Sequence, residues 1–483
     1  MSTPPIPPPG CPAHGLGLGP GGLRRLYGPE AEADPLGLYE QLRHQHGQVA
    51  PVLVQGDLMA WLVLGHRENL HVLRNPSQFS RDSRLWRDMA EGRVPPEHPL
   101  TPVAAWQPVA NFVDGSHHKR LRGAVTEALG RFDRRGIRTH VTRFANQLIE
   151  HFESVAQADL VADFAERLPM LVMCRLIGLP ESETPRLVEA ALDMIAGTDT
   201  AVASNAYITT ALQQLVVEKR ERPGHDVASY LIAHWAELSD EDRAMLTDDD
   251  RSELTFDEIV VEHLRLVLIG AFTKTANLIS SMLHLVVTDR RFRTHLSGGQ
   301  MTLPDALDQV LWDAPPLTSV LGRWATSDTK LAGQLIKAGD MVLLGLAAGN
   351  VDPAARPDLT APVHGNRSHL AFGSGPHECP GEDIALAIAD TGIDTLLARL
   401  PDIQLAVDEA DLRWTSSLMS RNLTALPVTF EMRLTTPAGP TKVSDALPPE
   451  HRNTPLPAAM MAPAAQAASG GKAPCLWSRL FGG

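Results

Sequence analysis

Cysteine is scarce in this chain. Of 483 residues only Cys11, Cys174, Cys379 and Cys475 are cysteines, and their wide spacing suits a reduced compartment better than a disulfide framework. The formal net charge is −14 and there is no lysine- and arginine-rich run, which argues against nucleic acid or an anionic membrane surface as the main partner, although local basic patches stay open. Residues 1–20 are rich in Pro and Gly and lack the charged start and apolar run of a secretion signal. No apolar stretch is free of charge over a membrane-spanning length. The longest, at about 260–287, contains Arg265 and Lys274 and reads as a buried helix with no transmembrane role. These absences point to a cytoplasmic protein.

What is present is ample core material. A hydrophobic content of 43% can fill one large domain or two to three ordinary ones, and no repeat or second core is evident. Residues 1–22 read as a flexible Pro/Gly-rich arm and 434–483 as a Pro/Ala-rich tail that cannot bury enough surface to offset its chain entropy. Between them, 51–54 and 60–64 are short apolar runs around Gln55-Gly56-Asp57, a hairpin signal. Spacing near 3.6 predicts helices over 117–129, 138–155, 186–195, 203–221 and 227–235. Thr255-Phe256-Asp257-Glu258 is a capping-box start for a helix running to about Thr288, roughly 50 Å long at 1.5 Å per residue.

The most informative stretch is His369-Leu370-Ala371-Phe372-Gly373-Ser374-Gly375-Pro376-His377-Glu378-Cys379-Pro380-Gly381. Gly373, Gly375 and Gly381 permit backbone conformations closed to other residues, and a helix follows at once. A thiolate held at Cys379 would face the helix's positive end and backbone N–H groups, which lowers its pKa and favours a soft metal. A small buried cysteine in a turn is the plainer reading. The surroundings decide against it. The pattern Phe-Gly-x-Gly-x-His-x-Cys-x-Gly resembles the haem loop of the cytochromes P450, whose cysteine is the axial iron ligand.

That resemblance extends over about 23–433, which it marks as a single haem domain. It implies a mainly α fold with small β-sheets (α+β), a long central helix over a haem b held by the cysteine loop, and the bacterial, actinomycete-type soluble branch. The residues it assigns to the cofactor are Cys379 as iron ligand, with Phe372, Gly373 and Gly381 shaping its loop. His118 and Arg122, four apart on one helix face, match the family's propionate-holding pair, although a solvated basic face fits the same spacing. Arg323 in Gly322-Arg323-Trp324 and His377 match two further propionate contacts.

Two departures stand out. The family usually places an acid and then a threonine after a small pair midway along the long helix, where protons are delivered. Here the small pair survives as Gly270-Ala271, while Thr273 and Lys274 occupy the acid and threonine positions. Thr273 can donate and accept a hydrogen bond but is no acid. Lys274 can stay charged by pairing with substrate or a propionate, lose its proton and act as a base or sixth ligand, or reach out to water. The second departure is the buried Glu-x-x-Arg pair, whose positions hold Gln309 and Trp312. No Arg, Lys or Glu occurs between Gly298 and Gly322, and some actinomycete lineages likewise lack the pair. Joint replacement by groups that pack can be nearly neutral.

The resemblance implies a monooxygenase that oxidises a small apolar molecule with electrons from a ferredoxin and ferredoxin reductase. The departures leave open an atypical haem protein with a ligand-binding or regulatory role, or peroxide-driven or isomerase chemistry. By analogy the pocket is lined from 80–112, 168–216, 270–275, 317–321 and 418–419.

Overall fold

The computed structural model describes residues 18–196, 200–238, 255–363 and 365–431. Residues 1–17 of the expected arm and the whole expected tail, 434–483, lie outside them. The arm's last residues, Pro20–Gly22, form a 3-10 turn, and Leu18 bridges Arg24.

The largest sheet has six strands: Arg24–Arg25 (β1), Val49–Val54 (β2), Leu58–Val63 (β3), Phe79–Ser80 (β4), Val320–Ala325 (β5) and Met341–Leu344 (β6), in the order β1-β2-β3-β6-β5-β4. β2 and β3 form the expected hairpin, turned by Gly56 at φ 77° and Asp57 at φ 56°. β6 runs parallel to β3 and antiparallel to β5, so the sheet joins segments nearly 300 residues apart. Three small sheets complete the β content of the described residues.

The remainder is mainly helix: His66–Arg74 (α1), Gly115–Gly130 (α2), Arg134–Phe152 (α3), Arg167–Ile177 (α4), Thr184–Ala196 (α5), Ala201–Glu221 (α6), Val227–Ala236 (α7), Phe256–Thr288 (α8), Leu303–Asp313 (α9) and Glu382–Arg399 (α10). Observed ends fall within a few residues of those expected from spacing, the usual reach of pattern reasoning.

α8 begins where the sequence expects it. Thr255 Oγ1 accepts from Glu258 N at 3.4 Å and the Glu258 carboxylate accepts from Thr255 N at 2.7 Å, closing the capping box. Among the described residues it is the one helix long and apolar enough to cross a membrane, and most of it is buried in the largest hydrophobic core, against α4, α6, α9 and α10. Two of its buried polar side chains bond within the protein. Arg265 is 1% exposed and donates to Asn205 Oδ1 at 3.1 Å and to Thr209 of α6. His263 uses both ring nitrogens: Nδ1 donates to the Ile259 carbonyl at 2.8 Å, and Nε2 accepts from Ala110 N at 3.2 Å, tying residues 110–112 to the helix.

The Gln309 and Trp312 positions of α9 carry the substitute for an ion pair. Trp312 is fully buried, donates Nε1–H to the Asn366 carbonyl at 2.8 Å, and stacks on His66 with centroids 6.1 Å apart. Gln309 donates to Asp313 at 2.5 Å. Charge pairing survives, moved by one residue on either side: Asp313 pairs with buried Arg356, which lies over the Trp312 ring, and Asp308 accepts from Arg367 at 3.2 Å. Both partners belong to the 350–370 connection that feeds the Cys379 loop. Asn350 reinforces it, donating to the Leu311 and Trp312 carbonyls and accepting from Leu370 N at 2.9 Å.

Two outcomes are expected in denaturant titrations. Trp312→Ala costs about 3–5 kcal/mol by opening a cavity, while Trp312→Phe keeps the ring packing and loses about 0.5–1.5 kcal/mol with the hydrogen bond. Burial pulls the His263 pKa from 6.5 down to about 4, so the folded state resists a proton that the unfolded state takes. Its contribution is complete above 6.5 and lost as pH falls toward 4. His263→Asn should therefore flatten the dependence of unfolding free energy on pH across that window by up to one proton, about 1.4 kcal/mol per pH unit.

Candidate functional site

The cysteine loop is built from backbone hydrogen bonds. Cys379 N donates to the Phe372 carbonyl at 2.9 Å and Gly373 N to Leu370 O at 2.9 Å, so the chain curls around the sulfur. Gly375 is required twice over: φ is 74°, and a Cβ would lie 2.8 Å from the Leu73 carbonyl of α1. Gly373 also has positive φ. Gly381 does not bear out the conformational argument made for it. With φ −104° and nothing within 4 Å of a Cβ, its backbone is open to other residues. Its contribution is its N–H, which hydrogen-bonds Cys379 and favours the thiolate.

The expected lowering of the Cys379 pKa is also reversed in the chain alone. Burial pushes the thiol up and Glu382, in the first turn of α10, adds to this, outweighing the Gly381 N–H, Arg122 and Lys274. A free thiolate is thus unfavourable here and an iron cation would have to stabilise it. Cys379 keeps accessible surface although protein surrounds it, which we read as its sulfur opening on an interior space.

The opposite wall of that space is α8. Leu264, Arg265, Val267 and Leu268 before its midpoint and Thr275, Ala276 and Asn277 after it are buried, yet Gly270 between them is exposed, with nothing within 4 Å of where a Cβ would stand. Thr273 and Lys274 are half-buried. Burial pulls the Lys274 amine below its usual range, opposed by the negative charge of Cys379, which lies within electrostatic reach.

At the edge lies an unusual electrostatic arrangement. Arg323 on β5 is 3% exposed, donates to the Gly322 carbonyl at 3.1 Å, and has no carboxylate at ion-pair distance among the described residues. Burial, and then Arg81, pull its pKa well down. Arg81 is pulled by burial to about 10 and donates to the Asn111, Leu321 and Gly322 carbonyls at 2.7–2.9 Å. Buried His118 has an unpartnered Nε2 and packs on His377 with centroids 4.0 Å apart. Burial, followed by Arg122, depresses the His118 pKa to about 4. Asp114 accepts from His377 Nε2 at 2.9 Å, Ser80 Oγ at 2.6 Å and Arg81 N at 2.8 Å. Burial alone would raise its pKa; these bonds together bring it to about 2. Arg122 reaches the Glu378 carbonyl, beside Cys379.

Two buried guanidiniums and two histidines thus share one described carboxylate. Unpaired buried cations are costly, and two incoming carboxylates would balance them. An interior slot between a cysteine sulfur and a bare helix turn, with a cationic edge, suits a flat dianionic macrocycle such as haem.

No family model matches the chain. Curated relatives do. Over 419 residues it is 29% identical to cytochrome P450 CYP107DY1 of Priestia megaterium, covering 83% of this chain and 97% of that one. It is 28% identical to cytochrome P450 monooxygenase PikC of Streptomyces venezuelae, covering 83% and 92%. Among solved structures, CYP154C4 of a Streptomyces species superposes with a TM-score of 0.70 at 26% identity, covering 82% of this chain and 95% of that one. By sequence and by fold, the chain is similar to bacterial cytochromes P450. Its cofactor is haem iron, and the α+β architecture and long central helix expected from the sequence are those of the P450 fold.

Of the expected cofactor residues, Phe372, Gly373, Gly381 and His377 belong to the Cys379 loop, His118 packs on His377 and lies near Arg122 and Arg323, and Arg122 and Lys274 lie near Cys379, while Gly270, Thr273 and Lys274 share the middle of α8. Two of the expected pocket stretches meet: Thr318 N donates to the Met419 carbonyl at 2.8 Å and Ser319 Oγ to Leu418 O at 2.6 Å. Arg81 and Asp114 were not singled out by sequence. An arginine in a polar loop gives no sign of burial, and Asp114 reads as a helix cap although its carboxylate turns instead to His377.

Arg323→Met is expected to leave the apo-protein as stable or more so, since an unpaired buried cation is removed. The same variant should weaken haem retention by about 2–5 kcal/mol. Haem transfer to an excess of acceptor protein, beside denaturation of the apo-protein, separates the two effects.

Proposed function

We propose that this protein is a haem-thiolate monooxygenase that oxidises a small apolar molecule, with electrons from a ferredoxin and ferredoxin reductase, in the cytoplasm. The observation that carries the reading is the interior space between Cys379 and the exposed Gly270 turn of α8, edged by cations that lack carboxylate partners among the described residues. Relatives with names such as PikC monooxygenase support the reaction class.

In this reading Cys379 Sγ holds the iron, and the Phe372 carbonyl and the Gly381 N–H keep the loop and its sulfur in place. Arg323, His118, His377 and Arg122, joined by Arg81, hold the propionates, and Asp114 orients His377. The haem, when bound, supplies the iron at which dioxygen is reduced and one oxygen atom is inserted into substrate. Gly270 leaves room for substrate above it. Thr273 Oγ1 is the hydroxyl that passes a proton inward, standing where the family usually has an acid. The apolar side chains of 317–321 and 418–419 exclude water from the pocket, and residues 23–433 form the single haem domain. The ferredoxin docks on the Cys379 side.

The reading is tested by the reduced, CO-bound spectrum and by turnover. The red-shifted band of thiolate ligation is expected in the wild type and absent in Cys379→Ser, together with product formation that depends on NADPH, ferredoxin and reductase. A histidine-type CO band in the wild type would overturn the ligand assignment. Turnover by peroxide but never by reductant would overturn the monooxygenase assignment.

A further inference from the structure

Lys274 is an amine placed where nothing described neutralises it. It lies four residues after Gly270, hence on the same face of α8, and that face is the bare one. No described carboxylate stands at ion-pair distance, and the charge of Cys379 lies within electrostatic reach. An amine on a flexible four-carbon stem, on the bare face of α8 and within electrostatic reach of Cys379, becomes on losing its proton a Lewis base able to reach an iron held at that cysteine.

We infer that Lys274 donates its Nζ lone pair to the haem iron on the face opposite Cys379, so that the resting ferric protein has two protein ligands and an incoming substrate must displace one. This rests on the haem-thiolate reading above. The ammonium gives its proton to solvent, its lone pair forms the Fe–N bond, and no electron changes hands. The device keeps the iron closed to small molecules until an apolar substrate fills the space beside Gly270 and moves the lysine aside.

The test uses the ferric holoprotein. Wild type should show a low-spin absorption and electron paramagnetic resonance signature of nitrogen trans to thiolate. Lys274→Met, of similar length but unable to give up the same nitrogen, should revert to a water-ligated or high-spin form, and imidazole should bind it about tenfold more tightly or better. Lys274→Arg should behave like the Met variant, because a guanidinium does not ligate. Near-infrared magnetic circular dichroism of the wild type alone identifies the ligand pair even if a variant loses haem. Identical ferric spectra in wild type and variants, or a wild-type signature of water trans to thiolate, would overturn the inference while a thiolate-type CO band left the proposed function standing. A histidine-type CO band would instead remove the premise.

Discussion

Buried cations that cannot neutralise one another set the terms for this protein. Arg81 and Arg323 sit side by side in its interior, with His118 and His377 in contact next to them and Asp114 as the described carboxylate in their midst. Such an arrangement stores an electrostatic debt in the apo-protein that a dianionic cofactor discharges. In the proposed function, folding and haem binding would be coupled through the same residues: the β5 strand that carries Arg323, the loop that carries Arg81, and the first turns of α2 would gain a charge balance when anions arrive.

The same logic applies at the sulfur. Burial and Glu382 disfavour the Cys379 thiolate, and the Gly381 N–H, Arg122 and Lys274 do not compensate in the chain alone. A loop that raises the pKa of its cysteine looks ill suited to ligation until the iron is included. A metal cation then provides what the protein withholds, which makes the site selective for a bound cofactor over free thiolate chemistry. The apo-loop is correspondingly protected from acting as a reactive thiol.

α9 illustrates how a buried ion pair can be moved without losing the connection it serves. Trp312 fills the volume and bonds the Asn366 carbonyl, while Asp313–Arg356 and Asp308–Arg367 place charge pairs on either side of it. What is preserved is the attachment of α9 to the 350–370 connection, and through Asn350 to Leu370 at the mouth of the cysteine loop. The pair is replaceable because its task is mechanical; the cations around the slot are not, because theirs is electrostatic.

Local chemistry was written in the sequence wherever a short segment sufficed. The capping box at Thr255 and Glu258, the Gln55-Gly56-Asp57 turn, the helices of apolar spacing and the cysteine loop all depend on neighbours a few residues apart, and all were readable without a structure. The roles of Arg81 and Asp114, the raised Cys379 pKa and the ordinary backbone of Gly381 were not, because burial is a property of the whole fold and a residue's polarity does not reveal what will surround it. Sequence alone established that Gly270 and Lys274 share a helix face. Only tertiary structure decided that this face is bare and lies within electrostatic reach of Cys379, since that depends on α8 and a loop more than a hundred residues later coming together.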